Sequence, residues 1–95
     1  MSIVRINEFQ AAADKATALR QFLRSVINVI ERSPGCQGCE LLADQEDDTR
    51  LAIIETWDSI AAHQAAATQI PPEKIAEVRP LLAEPSKGRY YDRIR

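Results

Sequence analysis

The chain is short of the residues that support several common kinds of site. Its 95 residues include two cysteines, one histidine, one tryptophan and three glycines. Two cysteines and one histidine fall short of the four ligands that a structural zinc site uses. No apolar run reaches the ~20 residues of a membrane span, and residues 1–5 lack the apolar core of a signal peptide. We therefore expect a cytoplasmic protein with no metal and no membrane partner.

The charge balance argues against binding to nucleic acid. Lysine and arginine total 12 and aspartate and glutamate total 14, so the formal net charge is -2. Without a basic excess, the surface has no means of holding a phosphate backbone. Two local charge clusters are predicted to be solvated edges. They are the acidic group Asp44, Glu46, Asp47 and Asp48, and the basic group Lys87, Arg89, Arg93 and Arg95.

The length predicts a single domain that covers residues 1–95. A domain of this size buries only about 60–65% of the surface of its unfolded chain, so it is marginally stable alone. This shortage of core favours assembly with a second copy of the chain.

Alternating apolar and polar residues predict four strands. The second and third are joined by an acidic turn of hairpin length, and the last carries two adjacent tyrosines. The predicted strands cover residues 3–9, 36–43, 50–57 and 86–94.

Apolar residues at spacings of three and four predict a long amphipathic helix over residues 14–32, with Asp14 as its N-cap. The proline and glycine at positions 34 and 35 end it. Its apolar stripe consists of Leu19, Phe22, Leu23, Val26, Ile27 and Ile30.

A second predicted helix follows the third strand at once, is capped by Asp58 or Ser59, and ends near Gln69. A short third helix follows from Pro72 to near residue 80. Four residues share one face of the second helix at helical spacing, so its histidine is predicted to point toward the sheet. These residues are Ile60, His63, Ala67 and Ile70.

The order strand, helix, strand, strand, helix, strand predicts a ferredoxin-like α+β fold, with four antiparallel strands and helices on one face. The third strand is largely apolar on both faces, whereas a strand with one solvated face would be polar there. The sequence therefore predicts that helices cover one face of the sheet and that a second copy covers the other, as a homodimer. The two faces are Leu51, Ile53, Glu55 and Trp57, and Ala52, Ile54 and Thr56.

Cys36 and Cys39 form a C-x-x-C motif. Thioredoxin-type pairs stand at the start of a helix, whereas this pair opens a predicted strand. Residues three apart in a regular strand point to opposite faces. We therefore expect two reduced, metal-free thiols that pack as small apolar residues.

The junction between the third strand and the second helix holds the most informative pair of residues. Trp57 is the largest apolar side chain and has one N–H to satisfy. His63, one turn into the helix, is the only side chain whose unperturbed pKa lies near neutrality. If the chain has a site, this junction is its predicted place.

Four stretches of the sequence form a recognisable series. They are Ser33-Pro34-Gly35-Cys36, Glu40-Leu41-Leu42, the run from Ile53 to His63, and Gly88-Arg89-Tyr90-Tyr91. With these stretches the chain resembles the antibiotic biosynthesis monooxygenase family over nearly its whole length. Members are dimeric α/β barrels in which two ferredoxin-like subunits pack sheet to sheet, each with a ligand cavity between sheet and helices. Some oxygenate quinol-like or polyketide-derived aromatics without metal or flavin.

The resemblance implies a monooxygenase without cofactor that acts on a small hydroxylated aromatic or quinol. Such chemistry needs a proton acceptor, donors for a developing oxyanion and a dry cavity. The catalytic candidates are His63 as base or proton shuttle, Asn7 as amide donor, and Trp57 as apolar wall and N–H donor. The candidates for binding the substrate are Phe22, Arg89, Tyr90 and Tyr91.

Two other functions compete with this hypothesis. The first is a non-catalytic dimer that binds a small apolar ligand or serves as a structural partner. The second is the heme chemistry of some relatives, in which a histidine nine or ten residues past the tryptophan completes the site. Here those positions are Ala66 and Ala67, and His63 lies only six residues past Trp57. The sequence therefore favours heme least.

Overall fold

The computed structural model describes residues 2–94, and their periodicity produces four strands and three α-helices where the sequence predicts them. A short 3₁₀ turn, Arg79–Leu81, follows the last helix. In chain order the elements are β1 Ile3–Gln10, α1 Ala16–Glu31, β2 Cys36–Ala43, β3 Arg50–Trp57, α2 Ile60–Ala67, α3 Pro72–Val78 and β4 Lys87–Asp92.

The four strands form one antiparallel sheet in the order β2-β3-β1-β4. The first strand lies in the centre beside the third, in a register that pairs Ile3 with Trp57 and Arg5 with Glu55. This topology confirms the predicted ferredoxin-like α+β fold.

The core lies between the helices and one face of the sheet, here called the helix face. The alternation predicted for β3 is confirmed, because its residues 51, 53, 55 and 57 are all buried whereas 52, 54 and 56 are not. Leu19 and Leu23 of α1 are the buried residues of the predicted apolar stripe. None of the helices within residues 2–94 has the length and apolar character that crossing a bilayer requires.

The opposite face of the sheet, here called the open face, is also rich in apolar side chains. The register places alternate residues of all four strands on it. Leu42 and Tyr91 remain 42% and 45% exposed. The apolar residues of the open face are Val4, Ile6, Leu42, Ala52, Ile54 and Tyr91.

The two helix starts differ in how well the sequence predicted them. Ser59 caps α2 as expected, since its hydroxyl accepts a hydrogen bond from the backbone N–H of Ala62 at 3.1 Å. The prediction that Asp14 caps α1 is wrong: α1 begins at Ala16, and Asp14 takes a positive φ of 61° in the preceding turn. Aspartate tolerates that left-handed conformation because its short side chain can bond to local backbone.

The expectation that the two cysteines point to opposite faces is also wrong. A β-bulge at the start of β2 shifts the register, so that Cys36 lies opposite Trp57 and Cys39 opposite Glu55. Both cysteines therefore belong to the helix face, because an extra residue restores the alternation. Burial raises the pKa of Cys36, and it raises that of Cys39 to about 12, which disfavours a reactive thiolate in either residue.

Gly35 fixes the position of α2 against the end of α1. Its carbonyl oxygen accepts a hydrogen bond from the backbone N–H of Asp58 at 2.8 Å. Its φ is +88°, and a Cβ there would lie 2.7 Å from the Cβ of Ala62. Only glycine provides both the backbone conformation and the space.

The substitution Gly35→Ala should therefore lower the free energy of unfolding by about 1–3 kcal/mol. The matched control is Gly38→Ala, since no atom lies within 4 Å of a Cβ at that position. Urea unfolding of both variants measures the difference. Equal stability of the two variants would show that the Gly35–Ala62 approach does not constrain α2.

Candidate functional site

A cavity of about 240 Å³ lies between the helix face of the sheet and the three helices. Its wall is mostly apolar. Two lining residues, Val29 of α1 and Ile75 of α3, are themselves 51% and 50% exposed, so the cavity is open to solvent near them. The apolar lining comprises Phe9, Phe22, Leu23, Val26, Val29, Ile30, Ile53, Trp57, Ala66, Ala67, Ile70, Ile75 and Val78.

Six polar side chains belong to the wall: Ser33, Lys74 and four that come from two neighbouring strands and from α2. Arg5 and Asn7 are two residues apart on β1, Glu55 lies on β3, and His63 lies on α2. The antiparallel register brings Arg5 directly opposite Glu55 and Asn7 opposite Ile53. These groups stand out because apolar side chains surround them, and a few placed polar groups in an apolar cavity are typical of ligand sites.

Trp57 forms part of the wall, and its N–H is already satisfied. The indole N–H donates to Oε1 of Glu55 at 2.7 Å, and the exposed fraction of Trp57 is 1%. Burial raises the pKa of Glu55, although the bond from Trp57 and the nearby Arg5 charge oppose the shift. Although Arg5 lies opposite Glu55 in the register, the hydrogen-bond partner of Glu55 is the indole. Trp57 therefore offers a ligand its apolar surface rather than its N–H.

Arg5 is the site residue that the sequence did not single out. Its guanidinium turns away from Glu55 toward β4, where its Cζ lies 4.8 Å from the centroid of the Tyr90 ring. It also lies against Gly88, where a Cβ would collide with the guanidinium. The signal that could have found Arg5 is its position two residues before Asn7, on the same face of the same strand.

His63 is held by Tyr90. Its Nδ1 lies 2.6 Å from the Tyr90 hydroxyl oxygen, and the two rings meet edge to face with centroids 5.3 Å apart. The centroid of the Trp57 ring system lies 5.5 Å away on another side. Burial lowers the pKa of His63, and the positive charge of Arg5 lowers it further. Both effects favour the neutral imidazole.

The structure brings most of the predicted site residues together. Asn7, Phe22, Trp57 and His63 line the one cavity, and Tyr90 supports His63 from β4. The remaining two candidates lie elsewhere: the register pairs Arg89 with Ile6 and Tyr91 with Val4, on the open face.

The side of α2 that points toward the sheet differs in detail from the prediction. Ile60, expected to point inward with His63, is 41% exposed. Ala66, Ala67 and Ile70 line the cavity beside His63. The small side chains of Ala66 and Ala67 leave space in the cavity that larger side chains would fill.

The described residues 2–94 offer little for a metal ion. No group of three or more histidine, cysteine, aspartate or glutamate side chains is placed there to hold one. The positions at which heme-degrading relatives have their histidine are alanines of the cavity wall.

Comparison with known proteins places this arrangement in a family. A model of the antibiotic biosynthesis monooxygenase family matches residues 2–69, which is more than half of the chain. The chain belongs to the antibiotic biosynthesis monooxygenase family. No curated protein sequence matches it.

Several solved structures share the fold of the chain. SnoaB from Streptomyces nogalater, a cofactor-independent oxygenase, is 18% identical with a TM-score of 0.85, and the match covers 99% of this chain and 94% of SnoaB. PA3566 from Pseudomonas aeruginosa is 24% identical with a TM-score of 0.84, covering 99% and 95%. Rv0793 from Mycobacterium tuberculosis is 21% identical with a TM-score of 0.86, covering 100% and 97%. At these identities the likeness shows the fold.

The electrostatics of His63 can be tested directly, because it is the only histidine. We expect its NMR titration to give a pKa below the ordinary value of about 6.5. The substitution Arg5→Gln should raise that pKa, because it removes the positive charge that disfavours the imidazolium. Arg24→Gln, on the exposed side of α1, should leave the pKa unchanged. An unchanged pKa in Arg5→Gln would contradict the assigned role of Arg5.

Proposed function

We propose that the protein is a cofactor-independent monooxygenase that acts on a small hydroxylated aromatic compound or quinol. The observation that carries the proposal is the convergence of Asn7, Trp57 and His63 on one apolar cavity. Membership in the antibiotic biosynthesis monooxygenase family supplies the class of reaction.

The reaction asks three things of a protein. The substrate reacts as an electron-rich anion that passes an electron to dioxygen; one oxygen atom then enters the substrate and the other leaves as water. The substrate itself supplies the two electrons and two protons of that water and leaves as a quinone. The protein must hold the ionised oxygen with donors, manage the hydroxyl proton and keep water from the radical pair. Asn7 can donate an amide N–H to the ionised oxygen of the substrate, and the imidazole of His63 can form a hydrogen bond with the same group. Trp57 and Phe22 provide apolar walls.

The cavity volume restricts the substrate. An apolar cavity of about 150 Å³ accommodates benzene. A cavity of about 240 Å³ therefore takes a substituted single ring or a compact pair of rings. We infer that monocyclic quinols and naphthols are better substrates than larger fused systems such as anthrones.

The competing function is a module that binds a small apolar ligand without reacting. The same cavity and the same apolar wall serve both functions, so the distinction rests on turnover. Binding of a hydroxyaromatic without oxygen uptake would favour the binding module.

Substitution of the histidine tests the proposal. With a quinol or naphthol that the wild-type protein oxidises, His63→Ala should lower turnover by about 10²-fold, the size expected when a positioned hydrogen-bond donor to an ionised oxygen is lost. Gln64→Ala, at the exposed next position of α2, is the matched control and should keep full activity. The measurement is oxygen uptake at constant substrate concentration.

Unchanged turnover in His63→Ala would remove His63 from the mechanism. An absence of oxygen uptake across a panel of quinols, naphthols and anthrones would overturn the monooxygenase proposal itself.

We further propose that two copies pair through the open face. The face carries six apolar side chains, and Leu42 and Tyr91 are each more than 40% exposed. A 95-residue domain gains more than a larger one from covering such a surface. The resemblance to dimeric α/β barrels points to the same arrangement.

Sedimentation tests the pairing. The wild-type protein should sediment as a dimer at micromolar concentration, and Ile54→Glu should shift it to the monomer because a buried unpaired carboxylate is costly. Thr68→Glu, on the exposed side of α2, is the control and should leave the dimer intact. A stable wild-type monomer would contradict the proposed interface.

A further inference from the structure

We propose that the cavity takes its hydroxyaromatic ligand as the anion, with Arg5 as the compensating charge and His63 as a neutral donor fixed by Tyr90. The inference rests on the proposed function for the class of ligand. It goes further in naming the charge state of that ligand and the positioning role of Tyr90.

The hydrogen bond to Tyr90 decides which nitrogen of His63 faces a ligand. Nδ1 is taken by the Tyr90 hydroxyl at 2.6 Å, and within residues 2–94 Nε2 makes no hydrogen bond. The ring of His63 is also enclosed edge to face by Trp57 on one side and Tyr90 on another. Nε2 is therefore the nitrogen that a ligand meets in the cavity.

The position of Arg5 favours one direction of that hydrogen bond. The guanidinium lies over the face of the Tyr90 ring, with Cζ 4.8 Å from the centroid. A cation at the ring face draws electron density from the phenol and makes its O–H the better donor. If the hydroxyl donates to Nδ1, neutral His63 carries its proton on Nε2.

A neutral imidazole with its proton on Nε2 cannot accept a proton there. It can donate a hydrogen bond to an oxygen that is already negative, which is the use enzymes make of a histidine with a lowered pKa. The hydroxyl proton of the ligand then leaves to solvent before binding, and only the anion enters the cavity.

The charges around the cavity agree with an anionic ligand. Arg5 of β1 and Lys74 of α3 belong to the cavity wall, and Glu55 of β3 is the one carboxylate of its described lining. Lys74 lies 3.8 Å from a carboxylate oxygen of Glu77, so its charge is partly balanced. Arg5 forms no salt bridge with the described residues, and burial opposes the ionisation of Glu55. Arg5 is therefore the cation that an anion meets in the cavity.

Gly88 leaves room for the guanidinium of Arg5 beside Tyr90. The register places it opposite Asn7 on β4, and a side chain there would collide with the guanidinium of Arg5. Glycine at this position lets Arg5 lie flat along β4 and reach the face of the Tyr90 ring.

Binding of 4-nitrophenol tests the charge state without any need for oxygenation. Its hydroxyl ionises near neutral pH, and the fluorescence of Trp57, the single tryptophan, reports its binding. Affinity should rise as the pH passes through the pKa of the probe, and 4-nitroanisole, which cannot ionise, should bind weakly at every pH. Arg5→Gln should weaken binding of the anion about tenfold, the size of a lost hydrogen bond to a charge. Arg24→Gln should not change it.

Nitrogen NMR of His63 tests the positioning role of Tyr90. The wild-type protein should show the tautomer with hydrogen on Nε2, and Tyr90→Phe should lose that preference and raise the pKa of His63. His63→Gln keeps a donor and removes the imidazole, so it should bind 4-nitrophenolate within a few-fold of wild type, whereas His63→Ala should not.

Two results would overturn the proposal: equal binding of the neutral and ionised probes, or hydrogen on Nδ1 in the wild-type protein. Both measurements are independent of turnover. If the protein bound 4-nitrophenolate but took up no oxygen with the panel of quinols, naphthols and anthrones, the proposed reaction would be refuted and the anion site would stand.

Discussion

The antiparallel pairing of β1 with β3 is the constraint on which the site depends. Its register sets Ile3 opposite Trp57, Arg5 opposite Glu55 and Asn7 opposite Ile53, and it directs all of these side chains toward the helices. A slip of one residue in either strand would move the side chains of that strand to the open face, because side chains alternate along a strand. Gly35 then holds the start of α2, the helix that carries His63, close to the end of α1.

The polar groups of the cavity oppose the stability of the fold that holds them. Arg5 Nε and Asn7 Oδ1 are buried and make no hydrogen bond with the described residues, and Glu55 is buried with one partner. Unpaired buried polar groups cost about 1–3 kcal/mol each. A sequence selected only for stability would place apolar residues there, as it does at Phe9 and Ile53 on the same faces. Polar residues kept at such a cost are typical of functional sites.

The strands, the helices and the sheet topology could be predicted because each rests on a local pattern. Alternation from Leu51 to Trp57 and helical spacing from Leu19 to Ile30 are direct signals of burial. The convergence of Asn7, Trp57 and His63 followed from the family resemblance and from the helical face of His63.

The rest of the site depends on contacts that no local pattern encodes. The bulge before Cys39 brings both thiols to one face, and the absence of a side chain at Gly88 turns Arg5 toward Tyr90 and away from Glu55. Arg89 and Tyr91 are the neighbours of Tyr90 on β4, and because side chains alternate along a strand, both lie on the open face.

We expect the cavity beneath the sheet to bind a hydroxyaromatic compound between Trp57 and His63. A crystal structure of the protein with 4-nitrophenolate, at a pH above the pKa of the free phenol, would show the bound ligand itself. The ring should lie against the indole of Trp57, with its oxygen within hydrogen-bond distance of Nε2 of His63 and the Arg5 guanidinium on the same side. A ring bound on the open face, or in the cavity with its oxygen directed away from His63 and Arg5, would refute this binding mode.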